Sequence, residues 1–142
     1  MKPKPKPGRA RAGAGAGDVL SEERASFGYA FQGIGYAWST QRHLRIHAVL
    51  AALAVLLGVV LRIGPTEWAV LCLTVVAVIA LELLNTVVEA VVDLASPNYH
   101  PLAKVAKDVA AGAVLVAACG GVAVGAFLFV PRIWSLLTQI GR

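Results

Sequence analysis

Three long apolar stretches decide what this chain can fold into. The first covers residues 44–63, interrupted near its start by Arg45 and His47 and near its end by Arg62. The second begins at Trp68 and meets no charge until Glu82, continuing as helix to residue 94 before Ser96 and Pro97 stop it. The third rises from residue 105, carries no charge from Val109 to Val130, and is expected to end at Pro131. A helix needs about 20 apolar residues to cross about 30 Å of hydrocarbon. The spacing therefore predicts an all-α integral membrane protein with three transmembrane helices, at about 44–63, 68–94 and 105–130.

Composition agrees. Hydrophobic residues make up 58% of the 142 and charged residues only 15%. Lys2, Lys4, Lys6, Arg9 and Arg11 account for the whole formal charge of +5, and residues 18–142 sum to zero. A folded basic face for nucleic acid is thereby excluded. Lys and Pro alternate through residues 1–17, which predicts a solvated, disordered basic tail able to approach anionic lipid. Residues 18–142 are then one membrane domain. Phe27, Phe31, Ile34 and Trp38 recur at helical spacing, so residues 20–39 are expected to form an amphipathic helix on the membrane surface. Cys72 and Cys119 lack metal spacing and are expected to serve as packing residues. His43 and His47 are four apart without a following Glu, which argues for interfacial polar residues and against a zinc motif.

Lys and Arg placement sets the orientation. The N-terminal side carries the tail charges, Arg24, Arg42 and Arg45, and the second loop is followed by Lys104 and Lys107. The first loop has Arg62 alone. Both the N-terminus and the second loop are expected in the cytoplasm, in a cell (plasma or inner) membrane. Trp68 and Trp134 then mark the outer interface.

The second span carries the chemistry. Glu82, Asn85, Glu89 and Asp93 fall within about 80° of one another around a helix turning 100° per residue. Intramembrane carboxylates are expensive and mark function by default. Counted from Trp68 at 1.5 Å per residue, Glu82 lies about 21 Å deep and Glu89 about 31 Å. Glu89 thus reaches the inner boundary, level with Gln41 before the first span and with Lys107 and Asp108 before the third. A metal–phosphate site fits that level. Glu82, deeper and drier, can meet the hydroxyl of a lipid whose tails stay in the bilayer. No Walker-type phosphate loop occurs, so metal and side chains must hold any nucleotide.

The segment ELLNTVVEAVVD at 82–93, with SPNYHPLAKVAKD at 96–108, resembles the signature of the prokaryotic diacylglycerol kinase family, which includes undecaprenol kinases. The resemblance covers roughly residues 24–130. It implies an ATP-dependent lipid kinase, a homotrimer of three-span subunits with shared active sites, feeding phospholipid or lipid-carrier metabolism. By position it implies Glu82 as general base on the lipid hydroxyl and Glu89 as ligand of a Mg²⁺ that bridges ATP phosphates. It makes Asn85 and Asp93 orienting residues, Lys107 a phosphate contact, and Asp108, Asn98, Tyr99, His100 and Tyr29 the nucleotide lining. Gln41 stands where many members have a Glu that joins the metal. It keeps an oxygen donor but loses a charge. Arg45, Ile46 and His47, with the segment at 97–104, resemble the undecaprenol-kinase branch. The competing reading is an oligomeric proton or cation pathway built on the carboxylate stripe. Lys107–Asp108 beside Asn98–His100 is the feature such a pathway does not need.

Overall fold

The computed structural model describes the backbone of residues 16–140 and the side chains of 21–139. It holds four helices in this range: α1 (Ala16–Thr40), α2 (Arg42–Val60), α3 (Pro65–Ala95) and α4 (Pro101–Ile140). No strand occurs among the described residues. The expected basic tail lies outside them except for residues 16 and 17, which already belong to α1. Contacts divide the chain into two units, Met1–Tyr36 and Ala37–Arg142. In the first, α1 presents Phe27 and Phe31 outward, as an amphipathic face without an internal partner does.

The second unit contains the three spans, and all three helices are long and apolar enough to cross a membrane. α2 starts after Gln41, whose extended backbone (φ −96°, ψ 111°) separates it from α1. A tight turn joins α2 to α3, with Arg62 in the left-handed region at φ 51°. A β-carbon on Gly58 would meet Ile63 at 3.0 Å and the Trp68 ring at 3.1 Å, so glycine lets α2 close onto the start of α3. Pro65 opens α3 at a position where its missing N–H is harmless. Glu67 Oε2 accepts the Gly64 N–H at 2.7 Å, which is one half of a capping box.

α3 packs mainly on α4. The apolar core of Ile63, Leu71, Leu128 and Phe129 lies toward the α2–α3 turn. Large apolar side chains such as Leu73, Val76, Val122 and Phe127 point outward, as spans facing lipid require. Cys72 and Cys119 are exposed too, which corrects their expected packing role.

Pro131 does not end the third span. α4 runs through it to Ile140. Proline deprives the carbonyl four residues earlier of its partner, and Arg132 stabilises that turn from outside. Its Nη1 donates to Leu128 O at 3.0 Å. The guanidinium also grips Glu67 in bidentate fashion, both bonds being 2.7 Å. This clasp ties α3 to α4 at the core end. Its only trace in the sequence is one acid and one base beside the two tryptophans of the expected outer interface.

Candidate active site

At the opposite end of the three-helix unit, the stripe on α3 grades from dry to wet. Glu82 is 4% exposed, Thr86 7% and Asn85 9%, whereas Glu89 is half-buried and Asp93 exposed. Burial thus falls off along α3 from Glu82 to Asp93. Thr86 returns its hydroxyl to the Glu82 carbonyl at 3.0 Å. The Glu82 carboxylate has no hydrogen-bond partner among the described residues, and the Asn85 and Gln41 amides bond Glu89.

Gln41 Nε2 donates to Glu89 Oε2 and Asn85 Nδ2 to Glu89 Oε1, each at 2.9 Å. Gln41 is the residue before α2, yet its side chain does not cap that helix. It reaches across to α3 instead. Asn85 is one turn before Glu89, at the i, i+4 spacing that lets side chains meet. With its nitrogen committed to Glu89, Asn85 Oδ1 is left buried without a donor. Such an atom usually signals a missing partner.

These residues fit a magnesium ion. Mg²⁺ takes oxygen ligands and keeps waters, using one or two carboxylates plus phosphate oxygens. Glu89 offers one carboxylate, and Gln41 and Asn85 each carry an amide oxygen, one of them unsatisfied. Among the described residues no group of three or more His, Cys, Asp or Glu forms a metal cage. Such a site would need ligands beyond these side chains.

The loop between α3 and α4 brings the remaining candidates to the same end. Lys107 on α4 bonds Asp93 on α3. Asp108 bonds Lys104 within α4. The two lysines therefore differ: Lys107 joins the helices, whereas Lys104 makes a local exposed pair. Asn98, Tyr99 and His100 are exposed in the loop. The Asn98 carbonyl accepts the Ser96 hydroxyl at 2.9 Å. His100 Nδ1 accepts the Leu102 N–H at 3.2 Å at the start of α4, so this bond does not occupy Nε2. Tyr29 lies on α1 in the first unit and is exposed.

Sequence reasoning undervalues one residue. His47, expected as an interfacial polar group, also lines a half-open, largely apolar pocket between α2, α3 and α4.

The family profile described as prokaryotic diacylglycerol kinase matches residues 28–129. A diacylglycerol kinase of Synechocystis sp. is 48% identical over 113 residues, 79% of this chain and 65% of that protein. The match thus spans just under two thirds of that relative's length. An undecaprenol kinase of Bacillus subtilis is 39% identical over 108 residues, 76% of this chain and 88% of that protein. A diacylglycerol kinase of Escherichia coli K12 is 36% identical over 90 residues, 63% of this chain and 74% of that protein. All of the α3 stripe and the α3–α4 loop lie inside the profile match. The chain belongs to the prokaryotic diacylglycerol kinase family.

Proposed function

We propose that this protein transfers the γ-phosphoryl group of ATP to the hydroxyl of a membrane lipid alcohol at the cytoplasmic interface, in a homotrimer whose N-termini face the cytoplasm. The observation that carries it is the graded stripe on α3. A buried, unpaired carboxylate at Glu82 stands two turns from a hydrogen-bonded carboxylate at Glu89, one suited to a lipid hydroxyl and the other to the nucleotide. Family membership supports the class of reaction and weighs against a proton or cation pathway.

In this mechanism Glu82 takes the proton of the lipid hydroxyl. The alcohol oxygen forms a bond to the γ-phosphorus, and the bond from that phosphorus to the β,γ-bridging oxygen breaks. ADP leaves with the electron pair, and the phosphorylated lipid stays in the bilayer. Mg²⁺ bound with ATP supplies charge neutralisation for the phosphates. Glu89 would hold it, with the Gln41 and Asn85 oxygens available as neutral donors. Asn85 and Gln41 also fix the rotamer of Glu89. Lys107 leaves Asp93 for a phosphate oxygen, so Asp93 parks the lysine when no nucleotide is present. Asp108, Asn98, Tyr99 and His100 line the nucleotide. His100 presents Nε2 because Nδ1 is occupied by the backbone.

The test is transfer of radiolabel from γ-labelled ATP to lipid by the reconstituted protein with Mg²⁺. Diacylglycerol and undecaprenol are offered separately. Label in at least one lipid is expected, and label in neither contradicts the proposal.

A further inference from the structure

α4 outlasts the helices it packs against. Arg132 reaches Glu67 in the first turn of α3, so that level marks where α3 begins. α4 then continues to Ile140, about 12 Å further. This last stretch also lies past residue 129, where the family match ends. Counted from Lys107 at 1.5 Å per residue, Trp134 lies about 40 Å along α4 and Leu137 about 45 Å. A bilayer with both headgroup layers is about 40–45 Å thick. Residues 133–139 therefore fall in the headgroup layer farther from the candidate active site.

Two faces of α4 change differently as the helix passes the start of α3. Leu128 and Phe129 are buried, and a β-carbon on Gly121 would meet Thr74 and Val78 of α3, which fixes the packing face. At 100° per residue, Arg132 and Gln139 continue that face, with Leu136 at its edge and Ser135 beside them. This side turns polar where α3 no longer covers it. The opposite face is exposed at Val116, Phe127 and Val130, and again at Trp134 and Leu137. These five fall within about 80° of one another around the helix. The strip that meets lipid thus stays apolar beyond the level of Arg132. From Leu136 through Ile133 and Leu137 to Trp134, the apolar arc spans about 160°. Helices that lie in a membrane interface divide their faces in this way.

We propose that residues 133–139 of α4 are an interfacial anchor, whose apolar arc docks at the headgroup–acyl boundary of the leaflet opposite the candidate active site. Continuity with the lipid-facing strip identifies the occupant. A protein partner finds too little here: about 10 Å of helix about 10 Å wide offers about 100 Å², against roughly 800 Å² a side for a stable interface. The polar side suits a layer where water is scarce. Ser135 returns its hydroxyl to the Arg132 carbonyl at 2.8 Å, and Thr138 bonds the Ser135 carbonyl at 3.0 Å. Trp134 is the side chain that membrane interfaces favour. The contact does not depend on anionic lipid, because Arg132 is engaged by Glu67 and Ser135, Thr138 and Gln139 carry no charge. Through the same ion pair the anchor ties the start of α3 to its level.

The experiment uses the full chain in phosphatidylcholine nanodiscs, with Cys72→Ala and Cys119→Ala as background. Nitroxide labels are attached one at a time at Phe127→Cys, Trp134→Cys, Ser135→Cys, Leu137→Cys and Gln139→Cys. Collision with oxygen, which concentrates in hydrocarbon, is compared with collision with a neutral, water-soluble nickel chelate. The labels at 134 and 137 should favour oxygen several-fold over those at 135 and 139, as the label at 127 does. Replacing half of the lipid by phosphatidylglycerol should leave the ratios unchanged. Preference for the chelate at all four positions beyond 127 places the segment in water and overturns the inference. Exclusion of both reagents at 134 and 137 shows a second copy or another protein seated there, and also overturns it. So does an oxygen preference that arises only with phosphatidylglycerol. A label can disturb a short segment, so native Trp134 is read as well, in the Trp38→Phe, Trp68→Phe variant. Lipids brominated near the headgroup end of the acyl chain should quench its fluorescence more than lipids brominated near the chain end. Quenching by neither, or mainly by the deep bromines, contradicts the anchor. None of these readings depends on phosphoryl transfer, so their failure leaves the kinase reading standing.

Discussion

Gln41 Nε2 donates to Glu89 Oε2 at 2.9 Å, joining the residue before α2 to the middle of the polar stripe on α3. Where the family resemblance implies a second carboxylate, this chain places an amide whose nitrogen satisfies the first. Two carboxylates side by side repel until a cation arrives. An amide and a carboxylate attract with no cation present. The substitution therefore moves part of the site's stability from the metal-bound to the metal-free state.

Gln41→Glu should accordingly lower the half-saturating Mg²⁺ concentration for the kinase by several-fold and lower the melting temperature in EDTA. Gln41→Ala should raise the Mg²⁺ requirement. It should also lower the melting temperature, because a hydrogen bond to a charged group contributes about 1.5–3 kcal/mol. Mg²⁺ titration of the rate at fixed ATP, paired with thermal melts in EDTA, checks both. If neither variant shifts either quantity, residue 41 is not part of the metal level.

Lys107 and Lys104 both form ion pairs, but only Lys107 bridges α4 to the stripe. Lys107→Met should reduce kcat/KM for ATP by about a hundredfold, the scale of losing one group that stabilises transition-state charge. Lys104→Met should cost less than about threefold, since exposed i, i+4 pairs contribute little. Steady-state kinetics with ATP varied separates them. Equal losses would show that the lysine at the phosphates has been misassigned.

The clasp between Arg132 and Glu67 sits at the end of the bundle away from this chemistry. Arg132→Ala should lower the melting temperature in detergent by several degrees and leave kcat near that of the parent. The loss leaves Glu67 with its Gly64 bond alone and the turn at Pro131 unsupported. The charge-swapped pair Glu67→Arg with Arg132→Glu should recover part of the stability. A large fall in kcat at unchanged stability would contradict a structural role.

The sequence carries the architecture because lipid imposes simple rules on it. Apolar length locates all three spans, and helical periodicity places Glu82, Asn85, Glu89 and Asp93 on one face. Their burial falls off from Glu82 to Asp93. Pro131 reads as a terminus because its local effect on the backbone is legible, whereas the remote side chains that stabilise the turn are not. The Arg132–Glu67 pair is separated by 65 residues. The Gln41–Glu89 bond is similarly hidden, since depth places the two residues level but does not say which atom of the amide faces the carboxylate. The pocket that His47 lines is likewise hidden, because a groove shared by three helices leaves no periodic mark on any one of them.

Glu82→Gln, assayed beside the parent in one reconstituted preparation, bears most directly on the proposed mechanism when label transfer to the lipid alcohol and equilibrium binding of Mg-ATP are both read. Glu82 has no partner among the described residues and lies about 10.5 Å along α3 from Glu89. The parent should label the lipid, and the variant's transfer should fall to background. Nucleotide affinity should stay within about threefold of the parent, below the tenfold that 1.4 kcal/mol produces. Transfer that survives in the variant, or nucleotide affinity that collapses with it, would contradict the assignment of this buried carboxylate to the lipid hydroxyl.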